Sequence, residues 1–184
     1  MKFYIDTANV DDVDYALTKL LEHNPAMMSQ FGGVTTNPNA FHKLGISTYS
    51  EMTAQLLRLD TAIHKWRYEI VMLSQFTTSA FDEMEIHVQL PISTMTTTAA
   101  KMFIDDIRGL QLKSHIVFKF PPNLRLISEV REEPLSDDLS WPVAIDINVT
   151  GLTSAYECLR VLNMARVKYA SLIPGRMEEA GLDS

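Results

Sequence analysis

One cysteine, Cys158, in 184 residues leaves no internal disulfide and no multi-cysteine zinc site. The five histidines (His23, His42, His64, His87 and His115) stand far apart, with no HxH or HxxxH pair. Nothing in that spacing asks for a metal, and no cofactor is expected. Positive charge is also scarce: 16 Lys and Arg against 23 Asp and Glu give a net charge of -7. A nucleic-acid footprint needs the opposite surplus gathered on one face, so no nucleic-acid partner is expected. No apolar run approaches the ~18 residues of a membrane-crossing helix. The opening MKFYIDTAN carries one lysine and a short β-like run, too brief for a secretory h-region. These absences predict a soluble, cytoplasmic domain with no membrane partner.

What is present is an ordinary globular composition, 46% hydrophobic and 21% charged, of a length that suits one domain spanning 1–184. Short β-branched or aromatic runs alternate with longer helix-periodic ones, the pattern of βα units around a parallel sheet. Strands are predicted at Lys2–Asp6, Gly32–Asn37, Glu85–Leu90, His115–Phe120, Val143–Thr150 and Lys168–Ile173. Helices are predicted at Val10–Leu21, with Asn9 as N-cap, and at Thr48–Trp66, Thr97–Leu110, Leu124–Val130 and Ser154–Met164. Pro38, Pro91 and Pro121 each stop the strand before them.

Strand parity says more than strand position, because successive side chains point to opposite faces. One set is apolar: Phe3 and Ile5, Val34, Ile86 and Val88, Phe118 and Phe120, Ile147 and Val149. The other set carries Asp6, Thr35 and Asn37, His87 and Gln89, Lys119, and then Asp146, Asn148 and Thr150. A doubly wound sheet buries both faces under helices and reads apolar on both. Polar groups gathered at strand C-termini are what a (β/α) barrel presents at its active-site mouth. The pattern predicts a barrel with a polar pocket.

Lys119 is the most informative of these residues. It lies between Phe118 and Phe120 in HIVFKF, where lost hydration disfavours an ammonium and favours an amine able to attack a carbonyl. The bland alternative is a strand-end lysine reaching solvent or an acidic partner. Its company on one face with Asp6, Asn37 and Thr150 favours the catalytic reading. Asp6 suits general acid/base work, or else caps a helix. Asn37 suits a sugar hydroxyl, or else a turn. Gln89 and Thr150 suit a held water molecule, or else each is a satisfied polar side chain inside a barrel. Thr35, Asn148 and Ser171 are further candidate substrate contacts, and Arg176 offers a planar fork to a phosphate or else is a solvated loop arginine. His87 and Asp146 lie deeper and are expected to be core hydrogen-bonding groups.

The segments KFYIDTANV, GGVTTNPN, IVFKFPP, INVTGLTSAYE and KYASLIPGR resemble successive signatures of the class I transaldolase family, particularly its small members and the fructose-6-phosphate aldolases. The resemblance runs from Met1 to about Arg176. It implies a ketose Schiff base on Lys119, acid/base chemistry at Asp6, and substrate contact at Asn37. It further implies a catalytic water held by Thr150 and Gln89, and a phosphate on Arg176. Gln89 in place of a glutamate resembles the aldolase branch. The implied activity is transfer or cleavage of a dihydroxyacetone unit of a ketose phosphate, a transaldolase or lyase reaction of carbohydrate metabolism, with no cofactor.

An eight-stranded (β/α)8 TIM barrel of the class I aldolase type needs about 200 to 250 residues. Six strands are read here, so the barrel is expected to stop after about six βα units, with its C-terminal units missing. The full-length form is expected to be a homo-oligomer. A second reading follows from the same count: a truncated, inactive barrel that binds sugar phosphate weakly or needs a partner to fold.

Overall fold

The structure, a computed structural model, describes residues 2–74, 84–91, 96–132, 145–164 and 167–172. Six strands and their helices alternate along the chain, and every strand pairing recorded is parallel. This is the α/β class that the alternation predicts. The chain forms two compact units, Met1–Val88 with Ile107–Ile116, and Gln89–Asp106 with Val117–Ser184.

In the first unit, β1 (Phe3–Asp6) pairs with β2 (Phe31–Thr35), which pairs with β3 (Glu85–Gln89). Helix α1 (Val10–His23) follows β1, and the Asn9 side chain caps it by accepting from Asp11 N. Its apolar positions Val13 and Leu17 are fully buried. A 3-10 turn at Pro25–Gln30 leads into β2. Pro38 does more than end that strand: it opens a six-residue helix, α2 (Pro38–Lys43), at the first position, where its missing N–H costs nothing. Helix α3 (Tyr49–Ser74) starts on a capping box in which Glu51 accepts from the Ser47 and Thr48 amides and Thr48 accepts from Glu51 N. Those amide donors hold the Glu51 carboxyl below its ordinary pKa.

In the second unit, β4 (His115–Phe120), from Val117 onward, pairs with β5 (Asp146–Leu152), and β5 pairs with β6 (Val167–Leu172). Leu90 N donates to Lys119 O and ties the segment after Gln89 to β4. Helix α4 (Thr97–Gly109) precedes β4, α5 (Leu124–Glu132) follows it, and α6 (Ala155–Leu162) begins on a Ser154 cap. The predicted start of the fifth strand at 143 lies outside the described residues, and β5 runs past Thr150 to Leu152.

Parity holds within each unit. Val34, Ile86 and Val88 are buried in the first, and Phe118, Phe120, Ile147 and Val149 in the second. On the opposite face of the first unit, Tyr4 donates to Glu85 at 2.6 Å and His87 Nε2 lies 3.0 Å from the same carboxylate oxygen. Glu85 and His87 are both buried, so His87 is the core hydrogen-bonding group that was expected. Asp146 is not: it stands at the first residue of β5, part-exposed, and accepts from Lys168 Nζ at 3.1 Å. A carboxylate at a strand's entry meets solvent and the neighbouring strand's lysine before it meets the core.

The strand pairing around β2 depends on Gly33. Its φ is +137°, and a Cβ there would stand 1.9 Å from the Glu85 carbonyl oxygen. Gly45 also has positive φ, +72°, but a Cβ there meets nothing within 4 Å. The two glycines therefore separate backbone strain from collision. Gly45→Ala should cost about 1 kcal/mol in urea unfolding, whereas Gly33→Ala should cost more than about 3 kcal/mol and yield little folded protein. Equal losses at the two positions would contradict this packing.

Candidate active site

Within the first unit, three of the predicted site residues come together. Asp6 ends β1, directly in register with Thr35 at the end of β2. Thr35 Oγ1 donates to Asp6 Oδ1 at 2.6 Å, and Asn37 Nδ2 donates to both Asp6 oxygens at 3.3 Å. Asn37 is bifunctional, because its Oδ1 accepts from Ala40 N at 2.9 Å and caps α2. One side chain thus ties the end of β1 to the start of α2. Asp6 is exposed, and its helix-capping alternative does not hold, since Asn9 caps the following helix.

Asp6 and Asn37 line an open cleft of about 490 Å³. One wall is the β1–α1 turn, where Thr7 Oγ1 donates to Asp12 Oδ2 at 2.7 Å and Asn9 Nδ2 reaches Asp12 Oδ1 at 3.4 Å. The other wall is α2, which contributes Asn39 and Lys43. Sequence reasoning missed Asp12, Asn39 and Lys43, because helix positions are assigned to solvent by default. For Asn39 and Lys43 the one available signal was Asn-Pro, which opens α2. Carboxylates, amides and a hydroxyl line it, groups of the kind that meet a polyol.

Within the second unit, Lys119 lies in register with Asn148 on the neighbouring strand. Lys119 is 7% exposed and Asn148 4%. Ser171 Oγ donates to Asn148 Oδ1 at 2.8 Å, and Thr150 is in register with Ser171. Lys119 and Asn148 thus stand at one height on adjacent strands, and Thr150 and Ser171 stand two residues further along theirs. Gln89 belongs to this unit too, at the end of β3 beside Leu90, whose amide bonds Lys119 O. Arg176 lies outside the described residues.

A serine, histidine and aspartate also meet in the first unit, unforeseen from the sequence. Ser114 Oγ is 3.3 Å from His64 Nε2, and Asp60 Oδ1 is 3.6 Å from the same nitrogen. A relay needs the serine and the carboxylate on opposite ring nitrogens, so this group is not a nucleophile triad. Asp60 instead accepts from the Lys113 and Ser114 amides at 3.0 and 2.8 Å, pinning the turn before β4 to α3. Among the described residues no three metal-ligating side chains cluster, and no helix is long and apolar enough to cross a membrane.

The chain is 26% identical over 185 aligned residues to a probable transaldolase of Syntrophobacter fumaroxidans. The match takes in all of this chain but 65% of the relative, so the chain spans just under two thirds of that protein's length. No family model matches the chain. The similarity is distant.

The Asp60–His64 contact carries a pH dependence. Burial pushes the His64 pKa below its ordinary 6.5; Arg67 and Lys113 add to that effect and Asp60 opposes it. A histidine kept neutral in the fold contributes stability that is present above the unfolded value and lost as pH falls below it toward the folded one. Urea midpoints should therefore drop between about pH 7.5 and about pH 5.5, and the drop should shrink in His64→Gln. An unchanged drop in the variant would remove His64 from the account.

Proposed function

We propose that this chain carries the catalytic face of a class I aldol enzyme, acting on a ketose phosphate through an imine on Lys119. The fold in this reading is a (β/α) barrel of which the chain supplies about six units, and the relative's greater length supports it. The observation that carries the chemistry is Lys119 itself, a lysine 7% exposed on β4, in register with Asn148.

In the proposed reaction, the Lys119 amine adds to the ketose C2 carbonyl and water leaves, giving an iminium. Asp6 accepts the proton of the C4 hydroxyl while the C3–C4 bond breaks, and its electron pair passes into the enamine. The departing aldehyde carries the phosphate. The enamine then either attacks an acceptor aldehyde, which is transaldolase chemistry, or is protonated and hydrolysed, which is aldolase chemistry. Gln89 and Thr150 hold the hydrolytic water, Asn37 and Asn148 meet substrate hydroxyls, Thr35 and Ser171 orient Asp6 and Asn148, and Arg176 takes the phosphate. Asn37 and Thr35 donating to Asp6 support its role, since they hold it as an acceptor aimed along one direction.

The test is release of glyceraldehyde 3-phosphate from fructose 6-phosphate by the longest natural form of the chain. Lys119→Arg should abolish it, because a guanidinium stays protonated and cannot form the imine. Asp6→Asn should lower turnover by about 10²- to 10⁴-fold, the usual worth of a positioned acid/base group, with substrate binding retained. Undiminished turnover in Lys119→Arg would end the proposal.

A further inference from the structure

The cleft over Asp6 is asymmetric in charge, and that asymmetry has a use in the aldol reading. Both of its carboxylates accept from neighbouring donors: Thr35 and Asn37 on Asp6, Thr7 and Asn9 on Asp12. Lys43 closes the cleft at the far end of α2 and is its one cation among the described residues. No carboxylate among the described residues pairs with it, and its side chain is exposed.

Distance fits the same use. Asn37 caps α2 and Lys43 ends it, so six residues of helical rise separate them, about 9 Å. Asn37 is hydrogen-bonded to Asp6, and both line the cleft together with Lys43. A ketohexose with its C4 hydroxyl at Asp6 can lay its C5–C6 end along α2. Its terminal phosphate then comes within the sweep of the four-carbon lysine stem. Asn39 lies one turn before Lys43 and lines the same wall, where its amide can meet the C5 hydroxyl. The reverse orientation would bring a phosphate dianion against two carboxylates, which is disfavoured.

We propose that Lys43 is a specificity-determining residue: it binds the terminal phosphate of the ketose substrate and fixes which end of the sugar faces Asp6. The inference rests on the aldol reading above and adds a phosphate contact to it. It places that contact in the first unit, on α2, independently of Arg176.

Competitive acetylation of lysines in the whole chain, mapped by peptide mass spectrometry, tests this without requiring turnover. Fructose 6-phosphate at ten times its dissociation constant should slow acetylation of Lys43 by about tenfold. Fructose at the same concentration should leave Lys43 as reactive as in the free chain, and so should inorganic phosphate. Lys119 protected with Lys43 unprotected would overturn the Lys43 proposal and leave the aldol reading standing. Protection at neither lysine would sink the aldol reading itself. Equal protection by inorganic phosphate would overturn the orienting role. In kinetics, Lys43→Gln should raise KM for fructose 6-phosphate about tenfold with kcat little changed, and Lys43→Arg should restore it. A loss confined to kcat, or the same loss with an unphosphorylated ketose, would contradict the assignment.

Discussion

The carboxylate of Asp6 is the constraint on which the first unit's organisation turns. A charge at the end of a strand must be hydrogen-bonded or solvated, and here it collects Thr35 from β2 and Asn37 from the turn into α2. Those contacts match the strand register, in which Asp6 faces Thr35, and they hold Asn37 where its other end can cap α2. One side chain therefore couples strand pairing, helix entry and the lining of the cleft. Asp6 stays exposed while Thr35 and Asn37 hold its carboxylate from two sides.

The second unit solves the complementary problem of holding a lysine among apolar neighbours. Phe118 and Phe120 turn to the opposite face and are buried there. Lys119 is left beside Asn148, whose carbonyl oxygen is held by Ser171. A fixed amide next to a buried amine is a means of orienting a bound hydroxyl or water, and Ser171 acts by keeping that amide from rotating. Period-2 alternation is thus the device both units share: one face supplies burial, and the other carries the polar groups without breaking the ladder.

The elements were legible because each strand is a short alternating run bounded by proline or polar residues, and each helix shows its stripe. Asn9 was readable as a cap, and β4 occupies its predicted bounds, because the local chemistry in both cases leaves no rival. What escaped the sequence was non-local or short. Asp60 reaching amides more than fifty positions away, at Lys113 and Ser114, has no local signature. Helix α2 is a single turn whose only mark is Asn-Pro, which a strand stop explains equally well. Lys43 was invisible for that reason, since its place in the cleft depends on α2 existing. Asp146 was misplaced by a shift in the strand's start, which turned a supposed core carboxylate into an edge partner of Lys168. The grouping of Asp6, Thr35 and Asn37 was legible because parity and strand ends are both local quantities.

The central claim is that Lys119 forms a covalent imine with a ketose, and chemical trapping tests it most directly. Borohydride reduces a C=N bond to a stable secondary amine, so incubation with dihydroxyacetone and borohydride should leave one adduct, and peptide mass mapping should place it on Lys119. Adduct on Lys43, Lys101 or any other lysine in place of Lys119, or no adduct from a chain that turns over fructose 6-phosphate, would contradict the account.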